Sequence, residues 1–251
     1  MNPTALAPAA TRSLGGTAST FINEPEKSFP WRLQHLGLIL FVSLSMPIAS
    51  SVYYMLGGQA PTGSMQQKFR LVGALITEAT SLALLWYVMS RQGRSWRAIG
   101  WKPGVLDIPK GLGLFVAGNV LMYALMIPVQ YAYRAYAGHF LLPKPLNSIL
   151  GFGISALSIA FVCLNPFFEE LIVRAYTISE IINLGGSRTV AVILSVVVQM
   201  SYHLYQGLAS AVALTLIFTI FSIYYVRTQR IVPVILAHLC ADLFALIHGV
   251  L

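Results

Sequence analysis

Seven apolar runs, separated by short connectors that are basic or broken by Gly and Pro, occupy the chain from Leu36 onward. They lie near 35–56, 69–90, 111–133, 150–183, 189–204, 208–226 and 232–250. A helix that crosses the hydrocarbon needs about 20 apolar residues, so each run except the fourth has roughly the length of one crossing. Apolar residues make up 57% of the 251 residues and charged residues only 10%, with a mean hydropathy of +0.72, outside the range of soluble domains. The expected fold is all-α, a polytopic membrane helix bundle of about seven transmembrane helices. It forms one domain over residues 31–251, with no internal repeat.

The first 30 residues are Ala, Thr, Ser, Gly and Pro with scattered charge, a composition that cannot bury a core, and they are expected to form a disordered tail. No apolar signal-peptide core lies within them, so the first span is expected to act as the uncleaved insertion signal. The formal charge of +8 does not point to nucleic acid, because the basic residues sit in the connectors. A cytoplasmic N-terminus places eleven of the sixteen Lys and Arg inside, among them Arg91, Arg94, Arg97, Lys102 and Lys110. Lys68, Arg70, Arg134 and Lys144 then lie outside. The expected location is the plasma membrane, with a cytoplasmic tail and an external C-terminus. Cys163 and Cys240 both fall inside spans, which supports neither a disulfide framework nor a cysteine metal site.

The fourth run departs from this apolar pattern. Its stretch "NPFFEELIVRAY", residues 165–176, holds Glu169, Glu170 and Arg174. Pro166 predicts a kink or break just before the glutamates. On an α-helix Glu170 and Arg174 are i,i+4 neighbours and can pair, which lowers the cost of keeping both charges at depth. Glu169 then points roughly 100° away. It lacks that partner, as suits a group that must take and return a proton.

Two more polar sites lie at depth. His203 closes the fifth run, and His238 and Asp242 share a face of the seventh at i,i+4. Three of the eight acidic residues, Glu169, Glu170 and Asp242, belong to this set. Read singly, each group has a structural explanation: an ion pair that ties helices, an interfacial histidine, a packing hydrogen bond. Glu78, the only charge inside the second span, is a secondary functional candidate. His35, His139 and His248 lie at span ends and are given no role, and Tyr131, Tyr133 and Tyr136 read as an interfacial aromatic belt. Counted from the inner ends of their spans, His203 lies about 21 Å along and His238 about 9 Å, so the two are not level in straight, aligned helices.

These residues resemble the CPBP intramembrane proteases, also called the CAAX-processing type II or Abi family, whose signature is EExxxR, then FxxxH, then HxxxN or HxxxD. Glu169, Glu170 and Arg174 complete the first element, and His238 and Asp242 the third. His203 carries the second, with Gln199 where the family usually has Phe. The likeness covers residues 145–250. It implies peptide-bond hydrolysis by a water that Glu169 activates as general base and His203 helps to hold, with Glu170 and Arg174 as structural support and His238 and Asp242 serving the oxyanion. An ionised Asp only accepts hydrogen bonds, so Asp242 is expected to orient His238. A divalent metal such as zinc on Glu169, His203 and His238 is the alternative that fits the label metalloprotease. The implied partners are a peptide or protein substrate, which the resemblance allows to be prenylated, and membrane lipid, with no nucleic acid. Two other readings stand beside the protease: a proton-coupled transporter and a non-catalytic scaffold or immunity protein.

Overall fold

The computed structural model describes residues 29–58, 64–140 and 154–247. Seven long helices carry the seven runs: α1 (Phe29–Met55), α2 (Ser64–Arg91), α3 (Asp107–Ala137), α4 (Ala156–Asn183), α5 (Arg188–Ser201), α6 (Leu208–Thr228) and α7 (Val232–Ile247). Among the described residues there is no strand. The chain is thus an all-α, multi-pass integral membrane protein. The expected tail lies outside the described residues except for Phe29 and Pro30, which begin α1, and His248 and Lys144 also lie outside them.

Five of these helices are long and apolar enough to cross a membrane, while α5 and α7 are shorter. With 14 and 16 residues they reach about 21 and 24 Å, less than the ~30 Å of a hydrocarbon core. These two helices lead to His203 and carry His238.

Helix ends follow local chemistry. Ser155 and Ser158 form a reciprocal cap at the start of α4: the Ser158 N–H donates to Ser155 Oγ at 3.1 Å, and the Ser155 N–H to Ser158 Oγ at 2.8 Å. Ser187 caps α5 in the simpler way, accepting from the Val190 N–H at 3.2 Å. Between α4 and α5 the chain reverses at Gly185, whose φ of +88° disfavours a side chain.

Helix α4 is the centre of the bundle. Glu169 to Tyr176 are all buried, and α1, α2, α5 and α6 pack around them. The first half of α4 packs against α2 and α7. On the outside, α3 lies against α6 and α7, with Val116, Val120 and Ile127 exposed as lipid-facing side chains. Gly111 allows the close approach of α3 to α7, where a Cβ would meet Leu236 Cβ at 2.8 Å.

The ends that the charge count assigned to one side are tied together. Glu180, at the end of α4, is fully buried and takes ion pairs from Arg94 and, at 3.4 Å, from Arg32. Arg230 reaches Asp107 at 2.8 Å, and the Ile231 N–H donates to Gly100 O at 3.1 Å. These contacts bring the first turns of α1, α3 and α7 to the same face as the ends of α2 and α4. The helices therefore alternate in direction, as the connector charges require.

Two predictions follow from this basic face. Arg94 is too deeply buried to serve as a topology probe, whereas Ser95 beside it is exposed and its side chain caps nothing. In a background with Cys163 and Cys240 replaced by Ala, Ser95→Cys should resist an impermeant thiol reagent in intact cells and react once the membrane is opened. Labelling in intact cells reverses the orientation. Arg94→Ala should leave Glu180 with the longer contacts to Arg32 and Asn183, each at 3.4 Å. Its cost is on the order of 3 kcal/mol, read as a lower melting temperature of the purified protein.

Candidate active site

Pro166 has no N–H to give the carbonyl one turn earlier, and α4 stays helical through it while its α-helical winding ends just before the glutamates. It runs on to Phe168 and then widens over Glu169–Tyr176 into a π-helical segment, where the Thr177 N–H reaches Ile172 O, five residues back. A wider winding turns fewer degrees per residue than an α-helix. The step from Glu169 to Glu170 is thereby a little smaller than the ~100° of an α-helix, and the two carboxylates lie on either side of one imidazole. His238 Nδ1 lies 2.7 Å from Glu170 Oε1, and His238 Nε2 lies 3.9 Å from Glu169 Oε2.

Arg174 closes the ring of contacts behind these carboxylates. It is fully buried and pairs with Glu170. Its Nε donates to Ser222 Oγ at 3.1 Å and its Nη2 to Gln199 Oε1 at 2.7 Å. The guanidinium also sits 5.7 and 5.6 Å from the ring centres of Phe218 and Phe221. Every face of the cation therefore meets a partner.

Gln199 has a function that its motif position did not reveal. Its Oε1 accepts from Arg174, which fixes the amide orientation, and its Nε2 donates to Glu169 Oε2 at 2.8 Å. One neutral side chain thereby joins the two glutamates through the arginine. Glu169 takes its hydrogen bond from a neutral amide and meets Arg174 and His238 only at longer range, while Glu170 is directly bonded to both.

His203 does not lie on α5, which ends at Ser201, short of the 204 expected. The last carbonyls of a helix lack N–H partners, and the His203 ring supplies one, with Nδ1 2.8 Å from Gln199 O. A carbonyl only accepts, so Nδ1 carries the proton and Nε2 keeps its lone pair. Gly207, at φ +91° and ψ 153°, then lets the chain enter α6. His203 and His238 both pack on Phe218, at centroid distances of 5.3 and 5.6 Å. A shared aromatic neighbour thus brings the two imidazoles into one region of the bundle.

Asp242 Oδ1 is 3.5 Å from His238 Nε2. Glu170, at 2.7 Å, is the closer partner and the one that fixes the imidazole, a task the sequence reading gave to Asp242. Asp242 Oδ2 in turn accepts from Asn165 Nδ2 at 3.4 Å. Asn165 escaped the sequence reading, although a polar residue one turn before Glu169 in an apolar helix is a usable signal. Glu78 is buried on α2 and interacts electrostatically with Glu169, Asp242 and His238, so the lone charge of the second span belongs to this neighbourhood. Tyr202, also missed, is buried beside Glu169 and Arg174. His35 and His139 bond to the nearby carbonyls of Trp31 and Ala137, and both cysteines are free.

Among the described residues no three His, Cys, Asp or Glu side chains are gathered as a metal ion needs. Glu169 spends Oε2 on Gln199, and His203 and His238 each spend Nδ1 on a protein acceptor. These bonds leave both Nε2 atoms uncommitted, but Glu169, His203 and His238, the expected zinc set, are not gathered as a metal ion needs, and no step below is routed through a metal.

Residues 151–244 match the family model described as "Type II CAAX prenyl endopeptidase Rce1-like". No curated protein and no solved structure shows significant similarity to the chain. The matched segment runs from the start of α4 into α7 and holds Asn165, Glu169, Glu170, Arg174, Gln199, His203, His238 and Asp242. Residues 151–244 are thus similar to the Rce1-like type II CAAX prenyl endopeptidases, and they lie within an all-α membrane bundle.

Proposed function

We propose that the protein hydrolyses a peptide bond in a membrane-delivered substrate, in the manner of a prenylated protein tail, with a water that Glu169 deprotonates. The observation that carries this reading is the unequal commitment of the two adjacent carboxylates. Glu170 is held by Arg174 and His238, whereas Glu169 receives the neutral amide of Gln199 and keeps its other oxygen for water. The lone pair on His203 Nε2 accepts a hydrogen bond from the same water.

The steps follow from these positions. Glu169 takes a proton from the water as its oxygen bonds to the peptide carbon, and the carbonyl electron pair moves onto oxygen. His238 donates Nδ1–H to Glu170 and, as the imidazolium in which both ring nitrogens carry hydrogen, directs its Nε2–H toward the new oxyanion. Collapse breaks the C–N bond, and Glu169 returns its proton to the departing amine. The products are a carboxylic acid and an amine, which become carboxylate and ammonium in water, and the enzyme ends with the protons it began with. The substrate enters from the membrane, and the protein sits in the plasma membrane with its basic face in the cytoplasm.

The test compares Glu169→Gln and Glu170→Gln in the purified full chain, with a farnesylated C-terminal CaaX peptide as probe and mass spectrometry of the products. A glutamine at 169 still accepts from Gln199, so melting temperature should stay near wild type while turnover falls by at least ~10²-fold. Glu170→Gln should strand Arg174 and cost on the order of 3 to 5 kcal/mol of stability. A folded Glu169→Gln that cleaves at the wild-type rate removes the general base from this reading. It would leave the transporter or scaffold reading in its place.

A further inference from the structure

The donors around Glu169 are nearly all spent. Gln199 Nε2 is used on Glu169 itself, and the Arg174 guanidinium on Glu170, Gln199 and Ser222. Asp242, when ionised, only accepts. A tetrahedral intermediate nevertheless needs preorganised donors aimed at its oxygen, commonly more than one. Besides His238, three side chains keep a donor, the Tyr202 and Tyr205 hydroxyls and the Asn165 amide, and of these Asn165 alone shares α4 with Glu169. Tyr202 faces Glu169 and Arg174, so its hydroxyl serves the base rather than the oxyanion. Asn165 is half-buried, next to Asp242, whose side chain is 17% exposed.

The geometry at Asn165 suits the task. The Glu169 N–H donates to Asn165 O, so the two residues stack one turn apart on one face of α4, about 6 Å along the axis. That is the span occupied by a water, a carbonyl group and a hydrogen bond in line. Because a carboxylate only accepts, the contact to Asp242 Oδ2 orients the Asn165 amide with its nitrogen toward α7 and the site. One N–H is taken by Asp242, and the second has no hydrogen bond among the described residues.

We infer that Asn165 is a catalytic residue whose amide, oriented by Asp242, donates its second N–H to the oxyanion alongside His238. This rests on the hydrolytic reading above. Asp242 serves here as an acceptor that aims a donor on the facing helix. The pair can therefore be exchanged between α4 and α7 without losing the donor.

The experiment measures kcat and KM of the purified full chain on the farnesylated CaaX peptide, with melting temperatures, for Asn165→Ala, Asn165→Asp and the exchange Asn165→Asp with Asp242→Asn. Asn165→Ala should lower kcat by ~10² to 10³-fold with KM changed less than about threefold, the loss typical of one oxyanion donor. Asn165→Asp, which faces two carboxylates across the site, should be at least as poor. The exchange should recover at least about tenfold over Asn165→Asp, because the amide returns from the other helix. An Asn165→Ala enzyme within about threefold of wild type, while Glu169→Gln is inactive, overturns the inference and leaves the hydrolase intact. A folded exchange variant no better than Asn165→Asp also overturns it. An active Glu169→Gln, or a wild type that does not cleave the probe, sinks the hydrolytic reading and this inference with it.

Discussion

Burial of the Arg174 cation is the constraint on which the rest of the site depends. A guanidinium with no exposure inside a bundle of lipid-facing helices is tolerable only if every donor finds a partner. Those partners come from three helices: Glu170 one turn away on α4, Gln199 on α5, and Ser222 with the two phenylalanines on α6. Satisfying the charge therefore fixes how α4, α5 and α6 sit against one another. The polar contacts that reach Glu169 and His238 are extensions of the same network.

The π-helical segment Glu169–Tyr176 both anchors that cation and presents two carboxylates to α7. Adjacent residues on it diverge a little less than on an α-helix, and the two carboxylates lie on either side of one imidazole. Here Glu170 reaches Nδ1 and Glu169 faces Nε2 of His238. Wider turns cost hydrogen-bond geometry and persist where surrounding packing holds them. All eight residues are buried, which supplies that packing.

Much of this was legible in the sequence, and what was not has a common cause. Helix positions follow from hydropathy, because runs of lipid-compatible length leave the backbone few alternatives, and six of the seven helices overlap their expected spans to within a few residues at most ends. Glu78 stood out as the single charge of its run. The motif residues could be paired within a helix, since i,i+4 spacing is local information. Contacts between helices are not local, so Gln199 as a bridge, Glu170 as the partner of His238 and Asn165 as the partner of Asp242 could not be read from spacing. The same holds for His203. Its place beyond the end of α5 depends on a carbonyl that only the folded helix leaves unpaired.

The short helices give these contacts their place in the membrane. A 14-residue α5 cannot span the hydrocarbon, so the turn after it, with His203, lies at a depth where irregular backbone must be surrounded by protein or face water. Tyr202 and His203 are buried there, and the Tyr205 N–H donates to Ser51 Oγ at 2.9 Å, which ties the turn to α1. The polar groups that such a turn exposes would be a liability in lipid. In this bundle they border Glu169, His238 and Asp242, where a hydrolase must admit a water molecule. A helix too short to cross thus leaves this region lined by protein rather than lipid, and on the proposed hydrolytic reading the imidazole that caps its end is placed to hold the water.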